Sequence, residues 1–199
     1  GYNFRVTAHE QLENPAGYSD NSQLAFGVLD ARVNVPDGSF YLKKAIIADV
    51  ISLPSADSYF YNKAFQFTAG LDSNPNKEQE EDLAFRLKIL DGASVKPAPW
   101  IQLYLMIGGD SYFSSIYNYN TDLLLGGECG LITTAGQWKN KIAANIMQSP
   151  FDSEHLRGIF SADECISLSQ NMALKAGYSF NIDYGNYWQE WSLSFNAYF

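Results

Sequence analysis

The residues Met172–Tyr184, with the sequence MALKAGYSFNIDY, show the pattern that decides the fold. One face carries the larger apolar side chains Met172, Leu174, Ala176, Tyr178, Phe180, Ile182 and Tyr184. The opposite face carries Ala173, Lys175, Gly177, Ser179, Asn181 and Asp183. An alternation with a period of two residues is typical of a β-strand with one apolar face. The segment from Glu190 to Phe199 repeats the alternation, so two neighbouring strands are predicted to share one apolar side.

The same alternation continues towards the N-terminus, and no helical stripe is sustained over ten or more residues. Strands are predicted at residues 2–12, 23–35, 40–53, 59–71, 83–90, 100–108, 122–134, 137–149 and 156–168, before the two described above. Turn-forming residues separate them, and long polar loops are expected at residues 72–82 and 108–121. The chain is therefore predicted to be a single all-β domain over residues 1–199, an antiparallel up-and-down meander.

Several of these segments are about twice as long as the usual strand of roughly 5–6 residues. A strand that crosses a bilayer at a tilt needs about 9–11 residues. The lengths therefore favour a transmembrane β-barrel. The count is eleven strands, whereas bacterial single-chain barrels have even numbers, so 10–12 strands are expected.

In such a barrel the apolar face contacts lipid and the polar face lines the interior. The sequence then predicts an interior ion-pair network of Asp30, Arg32, Glu128, Lys139, Lys141, Arg157, Asp163, Lys175, Asp183 and Glu190. Aromatic residues near strand ends suit interfacial girdles: Tyr2, Tyr59, Tyr61, Trp100, Trp138, Tyr184 and Trp191. Two features do not fit. Glu164 falls on the apolar side, and the strand 40–53 carries Lys43, Lys44 and Asp49 on both faces unless a bulge intervenes.

A water-soluble barrel is the competing interpretation, because periodicity alone does not tell which face is inside. The charges would then face water, and the apolar rows would enclose a core or a ligand, as in a lipocalin-like binder.

Composition excludes one class of partner. Lys and Arg number 13 against 22 Asp and Glu, which gives a net charge of −9. This balance argues against nucleic-acid binding. No nucleotide, zinc or nucleophile-elbow motif occurs, so no cofactor, metal site or catalytic residue is assigned.

Two further residue types were considered for chemistry. Ser153 lies two residues before His155, but a solvated turn is the favoured interpretation of this stretch, and His9 suits an interior polar network. An enzyme is therefore the less favoured class.

The two cysteines are predicted on opposite faces of the sheet. Cys129 is predicted on the lipid side and Cys165 on the interior side, without a disulfide.

The end of the chain resembles the assembly signal of bacterial outer-membrane β-barrels, whose last strand is read by the insertion machinery. The residues that carry this resemblance are Trp191, Leu193, Phe195, Ala197 and Phe199. The resemblance implies a location in the bacterial outer membrane. It also implies the barrel assembly machinery and outer-membrane lipid, including lipopolysaccharide, as partners.

A broader resemblance rests on Gly17-Tyr18, Gln23–Phe26, Asp49–Leu53, Asp57–Phe60 and Thr68–Leu71. These segments resemble the C-terminal barrel region of a proteobacterial envelope family. In that family the barrel follows a periplasmic domain similar to lipoprotein N-acyltransferases of the Lnb type. The resemblance implies a periplasmic domain or protein as a partner, and it transfers no catalytic residue.

These observations lead to one preferred function and three alternatives. The preferred one is a small outer-membrane barrel that serves as an anchor, scaffold or docking domain, with a polar and largely filled interior. The alternatives are a narrow outer-membrane pore, a lipid-acting hydrolase or acyltransferase, and a soluble lipocalin-like binder.

Overall fold

The molecule is an antiparallel β-meander, seen in a computed structural model that describes residues 2–5, 11–12, 21–33, 38, 40–54, 63–75, 81–169 and 172–197. Each strand pairs with the next one in sequence, in the order β1 to β11. The predicted all-β meander is therefore confirmed. The strands are β1 Tyr2–Arg5, β2 Gln23–Val33, β3 Phe40–Ser52, β4 Ala64–Pro75, β5 Glu81–Ala98, β6 Ile101–Phe113, β7 Thr121–Ala135, β8 Trp138–Gln148, β9 Leu156–Ser169, β10 Met172–Asp183 and β11 Asn186–Ala197.

Ten of these strands are long, and β1 has only 4 residues. A short 3-10 turn, Asn118–Asn120, precedes β7. In the described part of the chain, no helix has the length and apolar character needed to cross a membrane.

The sheet curls into a half-barrel, in which β1 and β11 each pair with one neighbour among the described residues. Among the described residues, no strand pairing closes the sheet into a full barrel. Side chains nevertheless reach across the concave side. Lys43 on β3 approaches Glu190 on β11, and Asn21 donates a hydrogen bond to Gln102 on β6.

Apolar side chains cover the convex face of the sheet. Ile107 on β6 is 66% exposed and Leu193 on β11 is 76% exposed, and the neighbouring strands continue these rows. Among the described side chains on this face, the charged ones are Asp91, its ion-pair partner Lys63, and Glu164. Cys129 is exposed on this face, whereas Cys165 is buried on the concave side.

The concave face is mixed rather than purely polar. Most of its buried apolar side chains form one core cluster that includes Leu90, Met106, Leu124, Ile132 and Met147, and a smaller cluster lies between β2 and β3. Buried charged residues alternate with them along the same strands, including Lys88, Asp110 and Glu128. The core of the molecule therefore lies inside the curl.

Two ends of the half-barrel differ in their connections. At one end, here called the loop end, residues 114–120 and 149–155 connect neighbouring strands. At the other end, here called the turn end, two-residue connections at 99–100 and 136–137 do so.

The predicted loops 72–82 and 108–121 were too long, because β4 continues to Pro75, β5 begins at Glu81 and β6 continues to Phe113. Strand β5 also extends to Ala98, well past the predicted end at residue 90. The first predicted strand, 2–12, corresponds to β1 only over Tyr2–Arg5, and residues 6–10 lie outside the described part.

Bulges explain why the side chains of β3 do not alternate regularly between the two faces. Its register with β2 shifts past Lys43, and its register with β4 shifts past Ile47. Each extra residue reverses which face the following side chains occupy. Strand β2 also changes face at Gly27, which has φ 59°. Ala25, which regular alternation from Leu29 would place on the convex side, is therefore buried on the concave side.

Glycines on the concave side permit the tight curl. A Cβ at Gly108 would collide with the backbone carbonyl oxygen of Ile89, and one at Gly126 with that of Ile146. These two glycines face each other across β6 and β7. Only a residue without a side chain allows the strands to approach this closely.

Candidate functional site

The polar side chains of the concave face form successive clusters along the barrel interior. The first, at the loop end, surrounds His155, which follows β8 and is fully buried. Its Nδ1 lies 3.1 Å from Oδ1 of Asp122, and its Nε2 lies 2.9 Å from Oδ1 of Asp183. The ring of Tyr184 stacks on the imidazole at 3.7 Å. Arg157 donates to the other carboxylate oxygen of Asp183 at 2.8 Å.

The two carboxylates determine the charge of this imidazole. Ionised carboxylates only accept hydrogen bonds, so this arrangement favours the protonated imidazole, in which both ring nitrogens donate. Burial alone would lower the pKa of His155, but the hydrogen bonds and charges of Asp122 and Asp183 outweigh it and hold the pKa above the usual 6.5.

The same geometry argues against a Ser–His pair. Neither nitrogen of His155 is free to accept a proton from a hydroxyl group. Ser153 is exposed, and its backbone carbonyl accepts a hydrogen bond from Gln148. His9 lies outside the described residues.

A second cluster surrounds Tyr112 on β6. Arg86 on β5 binds both carboxylate oxygens of Asp110, at 3.0 and 2.7 Å, and donates to Asp72 at 2.8 Å. The guanidinium groups of Arg86 and Arg157 lie 5.3 and 5.0 Å from the centre of the Tyr112 ring. Both guanidinium groups therefore lie within cation–π distance of one phenol ring.

A third cluster is centred on Glu128, on β7. Its carboxylate accepts hydrogen bonds from the hydroxyl of Tyr104 at 2.9 Å, from Lys88 at 3.3 Å and from Asn145 at 3.4 Å. The ammonium group of Lys141 lies 3.8 Å from it. One carboxylate is thus the shared counter-ion of two lysines inside the sheet.

At the turn end, uncharged groups close the interior. The amide of Gln102 donates to the backbone carbonyl of Leu53 and to the hydroxyl of Ser94, and accepts from Asn21. Leu12 and Leu53 are both buried in the core cluster. Parts of two connecting segments therefore fold into the turn end and block it.

A cavity of about 680 Å³ remains between the charged clusters. It lies on the concave side, and its walls come from β3 to β11.

Two ion pairs of the predicted ionic network are present in the structure. Glu128 meets Lys141, and Arg157 meets Asp183. Glu190 meets Lys43 at 3.9 Å, a residue that the prediction treated as a misfit. Of the remaining members, Asp163 and Lys175 line a smaller cavity. Asp30 pairs in register with Lys44, and Lys139 lies on the concave side. The side chain of Arg32 lies outside the described part.

The prediction missed the cluster around Arg86. Asp72 and Asp110 fall in segments that are predicted to be loops, and alternation assigns no face to loop residues. Arg86 and Lys88 alternate with Phe85 and Ile89 along β5, and this period-2 signal was enough to place both inside.

The predicted aromatic girdle also needs correction. Trp100 and Trp138 are exposed at the turn end, as expected. Trp191, however, lies in the middle of β11 and contacts Tyr178 at 4.5 Å, and Tyr184 packs on His155. Tyr59, Tyr61 and the side chain of Tyr2 lie outside the described part.

Comparison with known proteins gives one match, which spans almost the whole chain. The model of the family described as Domain of unknown function (DUF7840) matches residues 1–198, and the chain belongs to this family. No curated protein and no solved structure shows significant similarity to it.

Proposed function

We propose that this DUF7840 member is an outer-membrane β-barrel domain of a Gram-negative bacterium, which anchors or scaffolds a partner and does not conduct ions. The observation that carries the proposal is the inverted distribution of side chains. Apolar residues cover the convex face of ten long strands, and the charged clusters lie inside the curl.

Exposure of this apolar convex face to water would be unfavourable. Soluble monomers rarely expose a contiguous apolar patch larger than a few hundred Å². Here exposed side chains such as Leu105 on β6, Ile142 on β8 and Phe160 on β9 belong to rows that cross the sheet. Lipid removes that cost, because these side chains are then in contact with acyl chains.

The two convex-face carboxylates lie towards the turn end of their strands. Asp91 forms an ion pair with Lys63 at 3.2 Å, next to the first residue of β4. Glu164 lies in the half of β9 that leads to the turn end. Positions near the interface tolerate charge better than the bilayer centre does.

Aromatic side chains mark both ends of the apolar band. Trp100 and Trp138 are exposed at the turn end. Phe85 and Phe113 lie 6.2 Å apart near the loop end, and Tyr187, whose ring lies 6.3 Å from that of Phe180, is exposed near the same end on β11. Such belts are typical of barrels at the two membrane interfaces.

A sheet in lipid cannot keep open edges, because unpaired backbone groups have no water to bind. We therefore expect β11 and the first strands to close against each other, or against one further strand, when the domain inserts. The contact between Lys43 and Glu190 supports this, since it spans the concave side from β3 to β11.

Filling of the interior favours an anchor over a pore. The turn end is blocked around Gln102 and Leu53, and the middle is crossed by the pairs of Glu128. Planar-bilayer recordings of the refolded domain test this point. Absence of steady single-channel steps is expected, whereas reproducible unitary conductance would support the narrow pore instead.

The proposed partners follow from the last strand. Leu193 and Phe195 are exposed on β11, where insertion machinery would read them; the side chain of Ala197 and all of Phe199 lie outside the described part. The proposed surroundings are outer-membrane lipid and lipopolysaccharide. The proposed partner that the barrel anchors is a periplasmic domain or protein of the Lnb-like kind, which the sequence resemblance implies.

Assembly in a bacterium tests the proposed signal. Replacement of Leu193 and Phe195 by Gln is expected to reduce the heat-modifiable form in the outer membrane several-fold, because the outward apolar row of β11 is lost. Replacement of Ser192 and Ser194 by Gln changes the other face of the same strand and serves as the control. Equal yields of the two variants would argue against the signal.

A further inference from the structure

Two consecutive lysines of β3, Lys43 and Lys44, both lie on the concave side. Consecutive residues of a regular strand point to opposite faces. Here Asp30 pairs with Lys44 but Ala31 pairs with Leu42, so Lys43 is the extra residue of a bulge. Bulges often redirect a side chain towards a functional site.

Both lysines hold their counter-ions loosely. The Nζ of Lys43 lies 3.9 Å from Glu190, and the Nζ of Lys44 lies 3.6 Å from Asp72. Charge-assisted hydrogen bonds are about 2.7–2.9 Å long, as between Arg86 and Asp110 at 2.7 Å. The two ammonium groups therefore keep donors available for another anion.

The two lysines open into the cavity of about 680 Å³, a size typical of small-molecule sites, which range over roughly 300–1,000 Å³. Tyr41 and Trp188 also line it, and each of these aromatic side chains is partly exposed. Cationic residues outnumber carboxylates in the wall although the chain as a whole is acidic. The charged lining residues are Lys43, Lys44, Arg86, Lys88, Lys141 and Arg157, with Asp72, Asp110, Glu128, Asp183 and Glu190.

We propose that this cavity binds a small molecule bearing a phosphate monoester, with Lys43 and Lys44 at the phosphate and Trp188 and Tyr41 against the rest of the ligand. A phosphate dianion matches the charge of two consecutive lysines that line one cavity, whereas a single carboxylate would leave one unmatched. The cavity is much larger than a phosphate ion, and its aromatic wall suits a sugar ring. The proposal depends on the concave side alone, so it stands or falls separately from membrane insertion.

Fluorescence of Trp188 provides the test. In a parent variant, Trp100, Trp138 and Trp191 are replaced by Phe, and the protein is refolded in detergent micelles. Titration with glucose 6-phosphate is expected to give a saturable change in emission. Inorganic phosphate is expected to bind more weakly, and glucose alone to give no change.

Lysine variants establish the contact. In the parent variant, Lys43→Gln with Lys44→Gln is expected to weaken binding at least tenfold, and Lys43→Gln alone to weaken it less. The single variant is expected to fold, since the Glu190 side chain it leaves unpaired is half-exposed. The matched control is Lys63→Gln, at a lysine that pairs with Asp91 on the convex side, and it should bind like the parent.

A second arm distinguishes a soluble ligand from a lipid headgroup. Vesicles containing phosphatidic acid are compared with pure phosphatidylcholine vesicles in the same assay. A lysine-dependent response to either glucose 6-phosphate or phosphatidic acid supports the site and identifies its source. A response to neither probe, or equal responses of Lys43→Gln and Lys63→Gln, would overturn the proposal.

Discussion

Glu128 is the residue on which the interior charges depend most. Its carboxylate pairs with Lys88 and lies near Lys141, and it accepts the hydroxyl of Tyr104. Glu128→Gln leaves two cations without their shared counter-ion. We expect a loss of about 3 kcal/mol in the free energy of unfolding, measured by urea titration in lipid vesicles.

Glu164→Gln is the matched control for that experiment, since it removes the same charge from the convex face. Its free energy of unfolding should stay within about 0.5 kcal/mol of the unmodified protein. Similar losses in both variants would show that Glu128 does not organise the interior.

The raised pKa of His155 leads us to expect that the stability of the protein depends on pH. Its folded pKa lies above the unfolded value of 6.5, because Asp122 and Asp183 outweigh the effect of burial. The stabilisation is therefore fully present below about pH 6.5 and is lost as the pH rises through the folded pKa. Burial raises the pKa of the stacked Tyr184, so its hydroxyl stays protonated over this range.

The measurement is the unfolding midpoint between pH 6 and pH 9, compared with His155→Phe. The variant keeps an aromatic ring beside Tyr184 but removes both ring nitrogens. It is expected to lose about 2–3 kcal/mol at pH 6 and most of the dependence on pH. An unmodified protein whose midpoint rises over this interval would contradict the assignment of an imidazolium.

The sequence was sufficient to place Glu128, Lys141, Arg157 and Asp183 on one side, because each lies in a strand with regular alternation. It was not sufficient for Lys43, since a bulge changes parity without a sequence signal strong enough to locate it. The sequence also did not predict which of these side chains contact each other. Period-2 patterns give the face of a residue but not its distance from residues on other strands.

At the scale of strands, the curl depends on glycines at the concave side of β6 and β7. Gly108→Ala would place a methyl group against the backbone of β5, and backbone cannot move aside without breaking the ladder. We expect a loss of about 3 kcal/mol or failure to reach the heat-modifiable form.

Gly109→Ala is the control, one residue along β6 on the other face. Its Cβ would lie 3.4 Å from the nearest atoms, which is ordinary contact. Folding should be retained, with a change below about 1 kcal/mol. If Gly108→Ala folded as well as Gly109→Ala, the close approach of the strands would not be required.

Strand positions were easier to predict than strand ends. Met172–Asp183 and Trp138–Gln148 lie within a residue of their predicted ranges, because large apolar residues alternate through them. The second half of β5 was missed, since Asp91, Gly92 and Ser94 interrupt the apolar rows. Their backbone still pairs with β6, which only the sheet as a whole determines.

At the scale of the whole molecule, the predicted meander is present, but the predicted closed barrel is a curled half-barrel among the described residues. Alternation specifies that a sheet has two unlike faces. It does not specify curvature, which depends on glycines and bulges at particular positions.

The most direct test of the central claim compares two tryptophans of β11 that lie three residues apart. Trp191 is 78% exposed on the convex face, and Trp188 lines the concave cavity. Single-tryptophan variants are refolded into vesicles that contain brominated phosphatidylcholine. Strong quenching of Trp191 with little quenching of Trp188 is expected. Equal quenching, or stronger quenching of Trp188, would show that the convex face does not contact lipid.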